Sequence, residues 1–120
     1  MMWTVRYAKE AIADLKKLDK AFVEQVLKGI KKVSKNPLPI PDGYGKPLGN
    51  KGGNNLTGFF KIKYRGIGIR VVYTLVRREN IMNILVVSKR DDEYCYETAS
   101  KLYIKYGDKI FEDIEKSTNK

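Results

Sequence analysis

The strongest constraint on the fold is a change of hydrophobic period along the chain, with a proline- and glycine-rich stretch between the two regimes. Helices repeat every 3.6 residues and strands every second residue, so the switch divides the chain into a helical part and a sheet part. Ala8, Ala11, Ile12, Leu15 and Leu18, followed by Phe22, Val23, Val26, Leu27, Ile30 and Val33, predict two amphipathic helices broken near Asp19, a residue suited to a cap. The second must end by Asn36, because a residue before proline is pushed out of the helical region and Pro37, Pro39 and Pro41 follow. From Phe59 the period is two: Phe60, Ile62 and Tyr64 face one way and Lys61, Lys63 and Arg65 the other. Gly66-Ile67-Gly68 turns this strand into a second over Ile69 to Val76, and Arg77 to Asn80 turns again into the apolar run Ile81 to Ser88.

Trp3 to Tyr7, alternating and rich in aromatic and β-branched residues, predicts a short first strand. Asp91-Asp92-Glu93 can cap and charge the start of a helix whose apolar line is Cys95, Ala99, Leu102 and Tyr106. Gly107 suits its end, and Asp108 can cap a last short helix through Ile110, Phe111 and Ile114. All four prolines and six of the ten glycines fall between Asn36 and Gly58, which reads as a long loop over 36–57. The expected architecture is a single α+β domain over residues 1–120. It comprises an antiparallel sheet of about four strands, two N-terminal helices packed on one face, C-terminal helices, and a helical tail over 107–120. Trp3, Phe59 and Phe60 are expected to serve packing, and Cys95 to be a small buried side chain.

The 120 residues contain one cysteine and no histidine. That removes intramolecular disulfides, multi-thiolate zinc sites, and catalytic triads or acid–base pairs that use histidine. Any catalysis falls to Lys, Arg, Tyr, Asp or Glu, and no metal or cofactor is expected. The opening residues lack a signal-peptide core and the longest aliphatic run, Ile84 to Val87, is too short for a bilayer, so a soluble cytoplasmic protein without membrane contact is expected.

The formal charge is +10, unevenly placed. Residues 43–90 hold ten cations against the single anion Glu79, whereas residues 91–120 are net acidic. A basic segment without its own counterions suits either a solvated face or a polyanionic partner, nucleic acid first among them. Side chains two apart on a strand lie about 6.5–7 Å apart on one face. Lys61, Lys63 and Arg65 therefore form a rail that matches a nucleic-acid backbone. Arg70 on the partner strand joins it if the register allows, and Arg90 and Tyr96 could close the site, the ring offering a base a surface to stack on. Lys46, Lys51 and Lys89 of the same segment are expected to add RNA contacts, with Arg65.

Clustered cations lower one another's affinity for protons, so a lysine among them can act as a base. RNA cleavage needs little more. A 2′-hydroxyl proton must be removed, the phosphorane charge neutralised, and the 5′-oxygen assisted as it leaves. From the spacing alone, phosphate binding without cleavage is the simpler reading.

A set of motifs then calls up a family. Trp3-x-Val5-x-Tyr7, Ala13-Asp14-Leu15-Lys16-Lys17-Leu18, Asn36-Pro37 and Lys46-Pro47-Leu48 come first. Leu56-x-Gly58-x-x-Lys61-x-Lys63-x-Arg65, Ile69-Arg70-Val71-Val72-Tyr73 and Lys89-Arg90 with Tyr96 follow. In this order, over about Trp3 to Leu102, the sequence resembles the RelE branch of the RelE/ParE toxin superfamily. The resemblance implies a toxin of a toxin-antitoxin pair that enters the ribosomal A site and cuts mRNA by 2′-hydroxyl attack, leaving a 2′,3′-cyclic phosphate and a 5′-hydroxyl. It implies Lys61 and Lys63 as catalytic lysines, with Lys63 the general base, and Arg70 as the stabiliser of phosphate charge. Arg90 would serve the leaving group and Tyr96 would orient or stack the substrate. A cognate acidic antitoxin is the implied partner beside ribosome and mRNA, and the superfamily's terminal helix can pack over the basic surface. The chain departs from the pattern at Ile69, where an aromatic is expected, and in its long 36–57 loop. A ParE-like DNA gyrase poison of the same fold and a non-catalytic RNA-binding module are the alternative readings.

Overall fold

A computed structural model describes residues 2–51 and 53–118, with the side chains of Lys51, Ser117 and Thr118 outside the description. The elements run β1 (Thr4–Tyr7), α1 (Lys9–Lys16), α2 (Lys20–Val33), β2 (Lys46–Lys51), β3 (Asn54–Tyr64), β4 (Ile69–Val76), β5 (Ile81–Ser88), α3 (Asp92–Tyr106) and α4 (Ile114–Thr118). Short 3-10 turns cover Arg77–Glu79 and Gly107–Phe111. The sheet has five strands in the order β1-β5-β4-β3-β2. All neighbours are antiparallel except β1 and β5, which pair in parallel from Thr4↔Ile81 to Tyr7↔Ile84. The parallel pair follows from the helices α1 and α2 that come between β1 and the hairpins.

The four expected strands are present, and a fifth, β2, lies inside the stretch read as a loop. Pro47 and Gly49 hide it, since proline within a sheet is confined to edge positions, and an edge is where β2 lies. Residues 54–57, also read as loop, begin β3, and residues 37–45 ahead of β2 are held by backbone hydrogen bonds and one side chain. Tyr44 N–H donates to the Asn36 carbonyl at 2.8 Å, Gly45 N–H to the Leu38 carbonyl at 2.9 Å, and the Tyr73 hydroxyl to the Pro37 carbonyl at 3.0 Å. A Cβ at Gly45 would lie 2.5 Å from the Pro37 carbonyl oxygen, so the tight return that delivers Lys46 requires glycine.

Helices cover both faces of the sheet. Against one pack α1 and α2, where Ala11, Val26, Ile30 and Val33 meet Phe60, Val71, Tyr73, Met82 and Ile84. On the other α3 and the Gly107–Phe111 turn bring Cys95, Tyr96, Ala99, Leu102 and Ile110 against Phe59, Val72, Leu85 and Val86. This second layer exists because β4 and β5 are apolar on both faces, and a strand buried on both sides needs two covers. A register shift between Val72 and Tyr73 lets Leu85 and Val86 both reach the α3 side.

Asp19 precedes α2 as expected, although its side chain makes no capping bond. Asp91 does cap α3, its carboxylate accepting the Tyr94 N–H at 2.9 Å. Gly107 ends α3 with φ at 61°, and the expected last helix is two pieces, the 3-10 turn and α4. Among the described residues the tail runs to the β1 edge of the sheet rather than over the basic face. Glu115 of α4 accepts the Tyr7 N–H at 3.0 Å and pairs with Arg6 at 3.6 Å, which fixes the tail at β1.

Candidate functional site

The basic face is built by strand register. Lys61 and Lys63 alternate with Phe60, Ile62 and Tyr64, which belong to the α1/α2 core, so both lysines project to the α3 side. Residues directly opposite in an antiparallel pair share a face, with Cβ atoms about 4.5–5.5 Å apart. Lys63 is opposite Arg70, and Lys61 is opposite Val72 on one side and Lys46 on the other. The result is two rungs on one face: Lys46 with Lys61, and Lys63 with Arg70. The register that the sequence left open places Arg70 with the lysines, and β2, which the sequence did not reveal, adds Lys46.

Helix α3 closes over these rungs at its N-terminal end. Tyr96 is buried at 8% exposure, and its hydroxyl accepts a hydrogen bond from Lys61 Nζ at 3.2 Å. A ring buried to this degree exposes little surface for stacking, and what the geometry shows is its hydroxyl holding the Lys61 ammonium. The exposed ring nearby is Tyr94, 40% exposed, with the Arg90 guanidinium 4.3 Å from its centroid. Arg90 also enters through its backbone: its carbonyl accepts the Arg70 Nη1–H at 2.9 Å and the Cys95 thiol at 3.7 Å.

Asp92, one residue into α3, was legible only as a cap and is instead part of the site. Its Oδ1 accepts the Nε–H of Arg70, and its Oδ2 lies 3.9 Å from Lys63 Nζ. Burial works against its ionisation, but the hydrogen bond from Arg70 and the charges of Arg70, Lys63 and Lys61 outweigh it and hold the carboxyl below its ordinary range. The basic segment thus borrows one counterion from the acidic C-terminal part. An acid two residues beyond Arg90, next to a residue already able to cap, was the available signal.

The other candidate residues are not gathered here. Arg65 is exposed in the turn after β3, and Lys89 points to the opposite side, 4.3 Å over the Phe22 ring of α2. The backbone of Lys51 ends β2, and its side chain lies outside the described residues. Cys95 is fully buried and its thiol is pushed up to about 11, chiefly by burial, which makes it a packing residue. Among the described residues no helix is long and apolar enough to cross a membrane.

Comparison with known proteins gives the class. Residues 5–94 match the family of ParE toxins of type II toxin-antitoxin systems, parDE. A RelE-like toxin protein of Escherichia coli is 34% identical over 101 residues, covering 84% of this chain and 97% of the relative. The toxin-antitoxin complex RelBE2 of Mycobacterium tuberculosis contains a chain that superposes with a TM-score of 0.61 at 28% identity, covering 77% of this chain and 95% of its own. A variant of E. coli toxin RelE in the free state shares the fold with a TM-score of 0.67 at 22% identity, covering 85% and 98%. The chain belongs to the RelE/ParE superfamily and is a toxin of the type II toxin-antitoxin class.

Proposed function

We propose that this toxin is a ribosome-dependent endoribonuclease that cuts mRNA in the A site by metal-independent transesterification. The observation that carries the reading is the pairing of Lys63 opposite Arg70, with Lys61 one rung along under the Tyr96 hydroxyl. A gyrase-binding surface requires no such constellation. Lys63, in its unprotonated form, takes the 2′-hydroxyl proton. The 2′-oxygen attacks phosphorus, and Arg70 and Lys61 neutralise the charge gathering on the phosphorane oxygens. The bond to the 5′-oxygen breaks with the Arg90 guanidinium assisting by charge, the oxygen takes a proton from solvent and Lys63 returns its proton to solvent, which gives a 2′,3′-cyclic phosphate and a 5′-hydroxyl. Lys46 extends the cation row along the RNA backbone, and Arg65 and Lys89 supply peripheral charge.

The partner that keeps such an activity in check is a cognate acidic antitoxin whose carboxylates neutralise the exposed cations. Support comes from the M. tuberculosis relative, solved as a toxin-antitoxin complex, and from the basic face itself. Free toxin would act in the cytoplasm, where ribosomes and mRNA are.

The test is to incubate the toxin with end-labelled mRNA, alone and on ribosomes stalled with an empty A site, and to map the ends. Cleavage confined to the A-site codon of the ribosome-bound sample is expected. No cleavage in either sample, beside an active control toxin, would contradict the nuclease. Gyrase-dependent DNA breaks in that case would favour the reading suggested by the ParE family match.

A further inference from the structure

The cations of the proposed site already hold an anion. Two oxygens of the Asp92 carboxylate divide between an arginine and a lysine: Oδ1 takes the Arg70 Nε–H and Oδ2 faces Lys63 Nζ at 3.9 Å. The two non-bridging oxygens of a phosphodiester seated on Lys63 and Arg70 would make the same division. Asp92 is not needed to cap α3, because Asp91 takes the Tyr94 N–H. With its side chain 40% exposed on the first turn of α3, Asp92 can swing to solvent without opening the core. When it leaves, Arg70 keeps a second anchor, Nη1 to the Arg90 carbonyl at 2.9 Å, and so stays aimed at the vacated position.

We propose that Asp92 is a resident stand-in for substrate phosphate. It holds Lys63 and Arg70 in place in the free toxin and is displaced when a phosphodiester binds, so it is a positioning residue that sets substrate affinity. The proposal rests on the reading of Lys63 and Arg70 as the phosphate subsite, and it goes beyond that reading by naming the competitor. A site with a tethered rival admits only anions that outcompete it. This favours a multiply contacted RNA backbone over small free anions. Removing the rival strengthens anion binding in general, and the effect belongs to Asp92 rather than to negative charge nearby.

Inorganic pyrophosphate, titrated by NMR and calorimetry into the full chain, tests this without any cleavage. The variants are Asp92→Asn and, as the charge-matched comparison, Asp91→Asn, since asparagine caps as well as aspartate. Asp92→Asn should bind pyrophosphate about three- to fivefold more tightly than wild type, the upper part of the range for losing one partly exposed ion-pair competitor, while Asp91→Asn shifts by less than about twofold. Equal affinity of wild type and Asp92→Asn, including no measurable binding by either, overturns the proposal, as does an equal gain in Asp91→Asn. Should Asp92→Asn fail to fold, the wild-type carboxyl resonances decide. Pyrophosphate should move that of Asp92 well beyond that of Asp91, and equal movement overturns the claim. If the toxin cleaves, Asp92→Asn should act on KM, lowering it, more than on kcat. Tighter pyrophosphate binding by Asp92→Asn without mRNA cleavage would keep this inference and remove the nuclease reading; cleavage without it would do the reverse.

Discussion

Replacing Asn83 with leucine isolates the contact that fastens the C-terminal segment to the sheet. Asn83 is fully buried in the middle of β5, between Met82 and Ile84. Its Nδ2 donates to the Ile110 carbonyl at 3.1 Å and the Glu112 carbonyl at 2.6 Å, and its Oδ1 accepts the Ile114 N–H at 3.2 Å. Leucine has nearly the same shape and none of these groups. The Ile110 carbonyl keeps the Thr74 hydroxyl at 2.6 Å, so the loss falls on the buried Ile114 N–H and the partly buried Glu112 carbonyl. A stranded buried donor costs about 1–3 kcal/mol and an ordinary lost bond about 1, so the sum is about 3 kcal/mol after leucine's small apolar gain. With a urea slope of about 1.5 kcal/mol per molar, the unfolding midpoint should fall by about 2 M. Exchange of the Ile114 amide, followed by NMR, should speed in parallel. A midpoint shift under about 0.5 M with Ile114 still protected would refute the reasoning.

Further outcomes follow from the same geometry. Tyr96→Phe keeps the buried ring and removes the acceptor for Lys61, so any cleavage activity should fall about tenfold, the worth of one hydrogen bond from a charged donor, with the unfolding midpoint little changed. Cys95 should resist Ellman's reagent in native buffer at pH 8 and react fully in denaturant, because at a pKa of about 11 only about a thousandth of the thiol is ionised. The Glu10 carboxyl is held below its ordinary range: burial opposes ionisation, but hydrogen bonds from Lys105 at 2.7 Å and Tyr106 at 2.8 Å outweigh it. A depressed folded pKa stabilises the native state above the unfolded value, about 4.3, and that contribution is lost as pH falls through the folded one. The difference in urea midpoint between wild type and Glu10→Gln should therefore be full near neutrality and shrink on acidification; a constant difference would contradict the assignment.

Those elements whose own periodicity decides their structure were legible in the sequence. The strands Ile69–Val76 and Ile81–Ser88 fall where the apolar runs end, and the helix break at Asp19 and the stop at Gly107 are where the capping residues predicted them. β2 was not legible, because Lys46-Pro47-Leu48-Gly49-Asn50 has neither alternation nor β-branched residues. It is a strand through pairing with β3, from Lys46↔Lys61 to Lys51↔Asn54. The helical cover on the second face was implicit in the apolar density of β4 and β5, which the alternation on β3 alone did not show. Within the site, Lys61 and Lys63 followed from spacing, but the union with Arg70 and Lys46 depends on register, which turn geometry fixes and residue spacing within one strand leaves open. The place of Asp92 depended on which of two adjacent acids does the capping, a choice made by backbone geometry.

Separating binding from chemistry at the Lys63–Arg70 pair tests the central claim most directly. On ribosomes stalled with an empty A site, single-turnover mRNA cleavage and toxin affinity would be measured for wild type, Lys63→Met and the peripheral comparison Lys89→Met. Loss of the general base should slow cleavage by about a hundredfold or more while affinity changes by less than about tenfold, as expected for a group that acts in the transition state. Lys89→Met should cleave at nearly the wild-type rate. If cleavage by Lys63→Met falls only in step with binding, or if the two variants behave alike, the face is a phosphate-binding surface and not a catalytic one.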